Sequence, residues 1–393
     1  MSTRIQIIGA ILMAVLYIPA HTHGMVTERV PDTMIGELNY LLSLVGNTKI
    51  QQPFRPEHIK HVLDFVASPA KADIRYHAGK IKGAPSAYYE FDVRRNLTQV
   101  LKLAYHPEIP SVITSPATIR LGRWKKINGS NAPLPNLWEL LPNLKSPFLL
   151  TGVEYLVNSP DTYSGAYYDY DLDRTLILFK HKGRNVFISL SKQRGLSGVG
   201  KKGLIIGPDE NWDYIYSGRP GVTMAGLGWV RSYMYDSYSI AFYYELDAAN
   251  PLMRFAVFKW VRAGYKKVNF VRTADIYNGA IRFSNVFKEV LESPDLPDTA
   301  ELVQACTDIQ NLSNEQYREI VAAYLKSVEE RSLTQGLLSK NQVDEWINGQ
   351  QYLNSLNREE MQALVMLEYL KQLLGKNRQR NLTYLPISSQ YTK

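Results

Sequence analysis

Cysteine is all but absent from this 393-residue chain: Cys306 is the only one. A single thiol forms no internal disulfide, so no covalent framework holds the fold. Long apolar runs are scarce too. Beyond the first twenty residues, no segment is apolar over a length that could span a bilayer. Low-complexity tracts and internal repeats of fixed period are missing, which leaves an ordinary globular composition. Catalytic signatures are equally thin. G-x-S-x-G does not occur, and no convincing serine, cysteine or zinc hydrolase pattern is found.

What the chain does carry begins at its first residues. Arg4 supplies a positive start, Ile7 to Ile18 (IIGAILMAVLYI) is unbroken apolar sequence, and Pro19-Ala20 breaks the helix beside a small residue. This is the order of a cleavable secretory leader, and its apolar run is too short for a membrane span. A leader of residues 1–20 is expected, or of 1–24 if the cut follows Gly24. The mature protein is then expected outside the cytoplasm, with no transmembrane segment. The lone cysteine favours a bacterial periplasm or cell exterior over a eukaryotic secretory route. Asn-x-Ser/Thr at Asn96, Asn128, Asn311 and Asn381 reads as chance matches in such a protein. The net charge of +8 implies attraction to anions. In that compartment these are phospholipid, lipopolysaccharide or acidic glycan, not nucleic acid.

Periodicity divides the remainder. Residues 25–147 read as a helical, proline-rich N-terminal region, with stripes on Ile35-Leu38-Leu41-Leu42-Val45, Ile59-Val62-Leu63-Val66 and Leu97-Val100-Leu101-Ala104. Prolines from Pro107 to Pro147 then predict loop or extended chain and the best boundary. Residues 148–272 switch to a period of two, with turns rich in Asn, Asp, Gly and Lys. Thr175 to Phe179 (TLILF) is apolar on both faces and reads as a central strand. Tyr238 to Leu246 alternates and suits a sheet with one buried face. Residues 273–376 return to helical spacing, with capping patterns at Asp298, Ser313 and Ser339 and a stop at Gly375. A polar tail, 377–393, ends the chain. The predicted fold class is α+β: a predominantly antiparallel, tyrosine-rich sheet with N-terminal helices and a helical C-terminal third.

Candidate chemistry is local and incomplete. A cut after Ala20 exposes His21-Thr22-His23, and a free amine with a histidine at position three can wrap a square-planar metal; the competing reading is a polar leader remnant. His58 and His61 sit three apart on a predicted helix, but no further ligand accompanies them. Asp169, Asp171 and Asp173 open like a calcium loop, yet Arg174 replaces the glycine and Lys180 the closing glutamate. On a strand the three carboxylates share one face, and they are the first place to look for acid chemistry. Gly195 to Lys202 nearly matches a phosphate loop, but Lys202 stands where the magnesium hydroxyl belongs and a strand follows where a helix is required. Nucleotide hydrolysis is rejected. The loop remains the leading anion-binding candidate, through its glycines and Lys192, Arg194, Lys201 and Lys202. Ser189-x-x-Lys192 has the spacing of the serine-lysine pair of β-lactamases, but it falls in a predicted strand without S-D-N or K-T-G. Cys306, in a stripe with Leu302 and Ile309, reads as core.

The expectation is an exported binding or scaffold module for an anionic, glycan or lipid ligand, with no cofactor implied. The second reading is an envelope hydrolase working through carboxylates. Oligomeric state is not legible.

Overall fold

The computed structural model describes residues 26–46, 54–71, 74–224, 227–247, 249–346 and 349–376. The expected leader, His21 and His23, and the tail 377–393 lie outside the described residues. The chain opens with β1 (Val26–Arg29) and α1 (Asp32–Ser43), and a 3-10 turn at Pro56–Ile59 leads into α2 (Lys60–Ala67). β2 (Ile74–His77) pairs in parallel with β1, and β3 (Ser86–Val93) follows. Next come α3 (Leu97–Ala104), α4 (Ser111–Thr114), β4 (Ile119–Ile127) and α5 (Leu137–Leu140). The strand-rich stretch holds β5 (Phe148–Asn158), β6 (Ala166–Tyr167), β7 (Asp169–His181), β8 (Arg184–Gln193), β9 (Lys201–Ile205) and β10 (Tyr214–Pro220). It continues through β11 (Val222–Met224), β12 (Gly228–Val230), β13 (Tyr233–Asp247), β14 (Leu252–Tyr265) and β15 (Val268–Asn269). The helices α6 (Thr273–Glu292), α7 (Thr299–Gln310), α8 (Asn314–Thr334), α9 (Lys340–Trp346), α10 (Gly349–Ser355) and α11 (Arg358–Leu373) complete the fold.

The fold is α+β. Its principal sheet is antiparallel throughout, in the order β3-β14-β13-β8-β7-β5-β4, with β15 pairing the end of β14. Both faces are covered. Ile177, Phe179, Ile188, Ile240, Phe242 and Phe258 pack with Leu38 and Leu41 of α1 and Val62 and Val66 of α2. Leu176, Leu178, Phe187, Tyr243 and Phe255 pack with α3, α4, α6 and the C-terminal helices. Thr175 to Phe179 is buried on both faces as its composition predicts, and Thr175 Oγ1 donates to the Leu44 carbonyl at 2.9 Å.

Two features differ from the sequence reading. Tyr238 to Leu246 is not half-solvated: Tyr238, Ile240, Phe242 and Tyr244 lie under α1 and α2, while Ala241 and Tyr243 lie under the opposite helices. Its alternation separates two buried faces and not a buried from a solvated one. The stretch read as helical and proline-rich also supplies β3 and β4, which form the two edges of the principal sheet. Tyr88, Tyr89, Phe91 and Val93 favour a strand in SAYYEFDV, and the prolines around β4 confine only its flanks. Helix starts are where the capping chemistry places them. Asn96, Asp298, Ser313 and Asn357 accept from first-turn N–H groups, and Gly375 takes a φ of 67° after α11.

Candidate functional site

The helix-covered face that carries Tyr243 has small residues at its middle. Ser189 on β8 lies between Leu176 on β7 and Ala241 on β13, and Ala241 is paired in turn with Val257 on β14. The row above it is large: Leu178, Phe187, Tyr243 and Phe255. Helices held off by the large row cannot close onto the small one, and a cavity of about 620 Å³ remains. Ser189 and Ala241 floor it, Val112, Phe283, Phe287 and Met366 roof it, and Trp124, Glu154 and Arg174 border it towards the β4 edge. That volume is typical of a small-molecule site.

Its three guanidinium groups each meet a carboxylate, while Glu108 at the exposed rim has no cation partner among the described residues. Arg174 Nε stands 2.6 Å from Glu154 Oε2, with the two side chains 17% and 7% exposed. The two atoms are not aligned as a hydrogen bond, and neither has another hydrogen-bond partner. Arg174 Nη1 donates to Ser189 Oγ at 3.2 Å. Arg120, buried, has Nη1 2.9 Å from Glu360 Oε1 and lies over the Tyr216 ring at 3.8 Å. Arg123 pairs with Glu359 at 2.5 Å. Each lining guanidinium therefore has a carboxylate beside it. Tyr105 and Tyr243 bring their hydroxyls to 3.4 Å, and burial, with Tyr105 beside it, pushes the Tyr243 phenol well above its ordinary value. His106 stacks on Trp138 with ring centres 5.0 Å apart, and burial lowers its pKa.

The sequence-predicted residues fall elsewhere. Asp169, Asp171 and Asp173 alternate with Leu172 and Arg174 and so lie on the other face of β7, the face of Thr175 and Ile177. Asp171 accepts from Lys125 Nζ at 2.6 and 2.8 Å, and Asp173 Oδ1 lies 3.5 Å from Arg194 Nε. No cleft joins the three to the cavity acids, because the sheet stands between them. In the glycine-rich loop, the N–H groups of Ser197, Gly198, Gly200 and Gly203 donate to the carbonyls of Met234, Asp169, Ser232 and Gly165. They are engaged by backbone and do not converge on a concavity. Lys192 and Arg194 are exposed. Lys202 Nζ donates to the Ser164 carbonyl at 2.8 Å, and Lys201 Nζ lies 6.0 Å from the Tyr167 ring centre. His61 Nδ1 is 2.6 Å from Glu37 Oε1, and His58 meets the Tyr40 ring edge. Cys306 is fully buried, and burial pushes its thiol up to about 12. Among the described residues no group of three His, Cys, Asp or Glu side chains is arranged to hold a metal, and no helix is long and apolar enough to cross a membrane.

Sequence reasoning missed Glu154, Arg174, Trp124 and Ala241. The only available signal was the run of small residues, Ser189 and Ala241, inside strands otherwise built from large ones. The fold and site together define a helix-covered antiparallel sheet with a cavity that opens to solvent past Glu108, Arg123 and Asn131. No protein-family model matches the chain, and no curated protein matches it.

Proposed function

We propose that this chain is an exported, non-catalytic binding module that holds a short neutral glycan in the cavity between sheet and helices. The observation that carries this reading is the pairing of every lining guanidinium with a carboxylate: Arg174 with Glu154, Arg120 with Glu360 and Arg123 with Glu359. Paired ions offer donors and acceptors side by side with no net charge, which suits hydroxyl groups better than an anion. Trp124, Tyr105 and Tyr243 add aromatic surface for the apolar face of a sugar ring. The separation of Asp169, Asp171 and Asp173 from the cavity favours binding over hydrolysis through those carboxylates. On the outer surface, Lys192, Arg194, Lys201 and Lys202 add a weak, salt-sensitive attraction for anionic envelope lipid or glycan.

The test is calorimetric titration of the mature protein with neutral mono- and disaccharides and with uronic acids. Neutral sugars are expected to bind, and Trp124→Ala to weaken them at least tenfold. A preference for the acids, or sugar binding indifferent to Trp124, overturns the reading. Intact mass of protein from the native periplasm is expected to start at His21 or Met25; a retained Met1 removes the export part.

A further inference from the structure

Three surface segments meet at one end of the principal sheet. The loop after β8 is tied to β13, with Ser197 N donating to the Met234 carbonyl at 3.2 Å and Met234 N to Ser197 Oγ at 2.9 Å. The β11–β12 segment follows Gly221, whose N–H donates to the Gly200 carbonyl, and Gly200 N donates to the Ser232 carbonyl. The β14–β15 turn is tied to the same strand, since Lys267 N donates to Tyr235 Oη at 2.8 Å. Val222 and Val230 pack in one cluster with Tyr265, which joins the last two segments.

Each segment lifts a large apolar side chain into solvent. Leu196 and Val268 are each 58% exposed, and Trp229 is 41% exposed, one face of its ring under Arg219 at 4.4 Å and its Nε1 donating to the Pro220 carbonyl at 3.1 Å. Single exposed hydrophobes need no explanation, but three at one tip do. Around them stand cations. Arg231, Lys266 and Lys267 are exposed and have no carboxylate partner among the described residues. Of the acids nearby, Asp236 pairs with Arg262 and Asp173 with Arg194, while the half-buried Asp169 carboxylate lies against Gly198 on the inner side of the loop. The turn is costly as well: Lys266 and Lys267 take φ of 47° and 65°, where such a two-residue hairpin turn prefers Asn-Gly.

We infer that this tip docks on an anionic phospholipid bilayer, with Leu196, Trp229 and Val268 entering the interface and Arg231, Lys266 and Lys267 meeting the headgroups. Apolar tips ringed by cations combine two signals, burial and surface potential, neither of which anchors firmly alone. Charge complementarity selects the bilayer: Arg231, Lys266 and Lys267 are exposed cations without a carboxylate partner among the described residues, and the nearby acids are half-buried.

The experiment is co-sedimentation of the mature protein with vesicles of phosphatidylglycerol and phosphatidylcholine in equal parts, and with phosphatidylcholine alone. Binding is expected to the first at low salt and to weaken in salt. Lys266→Asn with Lys267→Gly gives the turn its preferred residues, so the fold is expected to keep or raise its melting temperature. Binding should nevertheless drop roughly twenty- to thirtyfold, the effect of two surface cations. Trp229→Ser should lose about tenfold and abolish the blue shift of tryptophan emission on binding. If the double variant binds like wild type, if Trp229→Ser changes nothing, or if wild type ignores both vesicles, the inference is overturned.

Discussion

Ser189 of β8 and Ala241 of β13 are register partners at the middle of the sheet, and both border the cavity. Their small size, under helices propped up by Phe187 and Tyr243 one row away, keeps the space open. Ala241→Leu should therefore fill it. The added carbons enter existing room, so stability to urea is expected to rise by about 1 kcal/mol or stay level. Sugar binding is expected to fall at least tenfold. A large loss of stability would mean that the cavity is already closed around Ala241.

Two histidines predict a pH dependence. Burial lowers the pKa of His106, against the pull of Glu108, and burial together with Lys182 lowers that of His181, whose Nδ1 lies 3.0 Å from Tyr244 Oη. The folded chain thus resists protonation that the unfolded chain accepts. Their contribution is complete above about pH 6.5, the ordinary histidine value, and is lost as pH falls below it. Urea midpoints are expected to decline between about pH 7 and pH 5. His106→Gln with His181→Gln should flatten that decline; an unchanged slope assigns it to carboxylates instead.

Much of the scaffold was legible because its signals are local. Asp298, Ser313 and Ser339 sit at helix starts, and each cap is a short-range pattern. TLILF announced a central strand by being apolar on both sides. β4 was not legible: IRLGRWKKI carries as many charges as a surface loop and lies among prolines, and only pairing with β5 makes it a strand. The site was hidden for a related reason. Glu154 and Arg174 are twenty residues apart and look like ordinary strand-surface charges. The β5–β7 register sets Arg174 opposite Gly152, two residues from Glu154 on the same face, and helices from the far end of the chain bury the pair. Burial of that kind is a property of the tertiary fold, which no window along the strand contains.

Cys306 gives a simple check on the core. It is buried in α7, and its thiol is held up to about 12, so little thiolate forms at neutral pH. Native protein is expected to resist an aromatic disulfide reagent for hours and to react with one equivalent once unfolded. Rapid labelling of native protein would place α7 outside the core.

One buried carboxylate ties two of the C-terminal helices together, beside the ion pairs that join α11 to β4. Asp213, in the connection between β9 and β10, has no solvent exposure. Its Oδ1 lies 2.6 Å from Lys371 Nζ of α11, and its Oδ2 lies 2.9 Å from Arg331 Nη2 of α8. Lys371 also meets Glu368 at 2.5 Å. The two helices thus share Asp213, while Lys371 has a second acid and Arg331 is partly exposed. Asp213→Ala would strip the shared acceptor and leave a fully buried ammonium with one partner instead of two. Breaking a buried pair from one side costs about 3–5 kcal/mol, mainly through the charge left behind. Lys371→Met should cost at least as much, because it takes the ammonium from Asp213 and from the equally buried Glu368 together, and methionine restores only the volume. Equilibrium unfolding in urea compares the two directly. Costs below about 1 kcal/mol for both variants would show that the helices hold by their apolar contacts and not by this network.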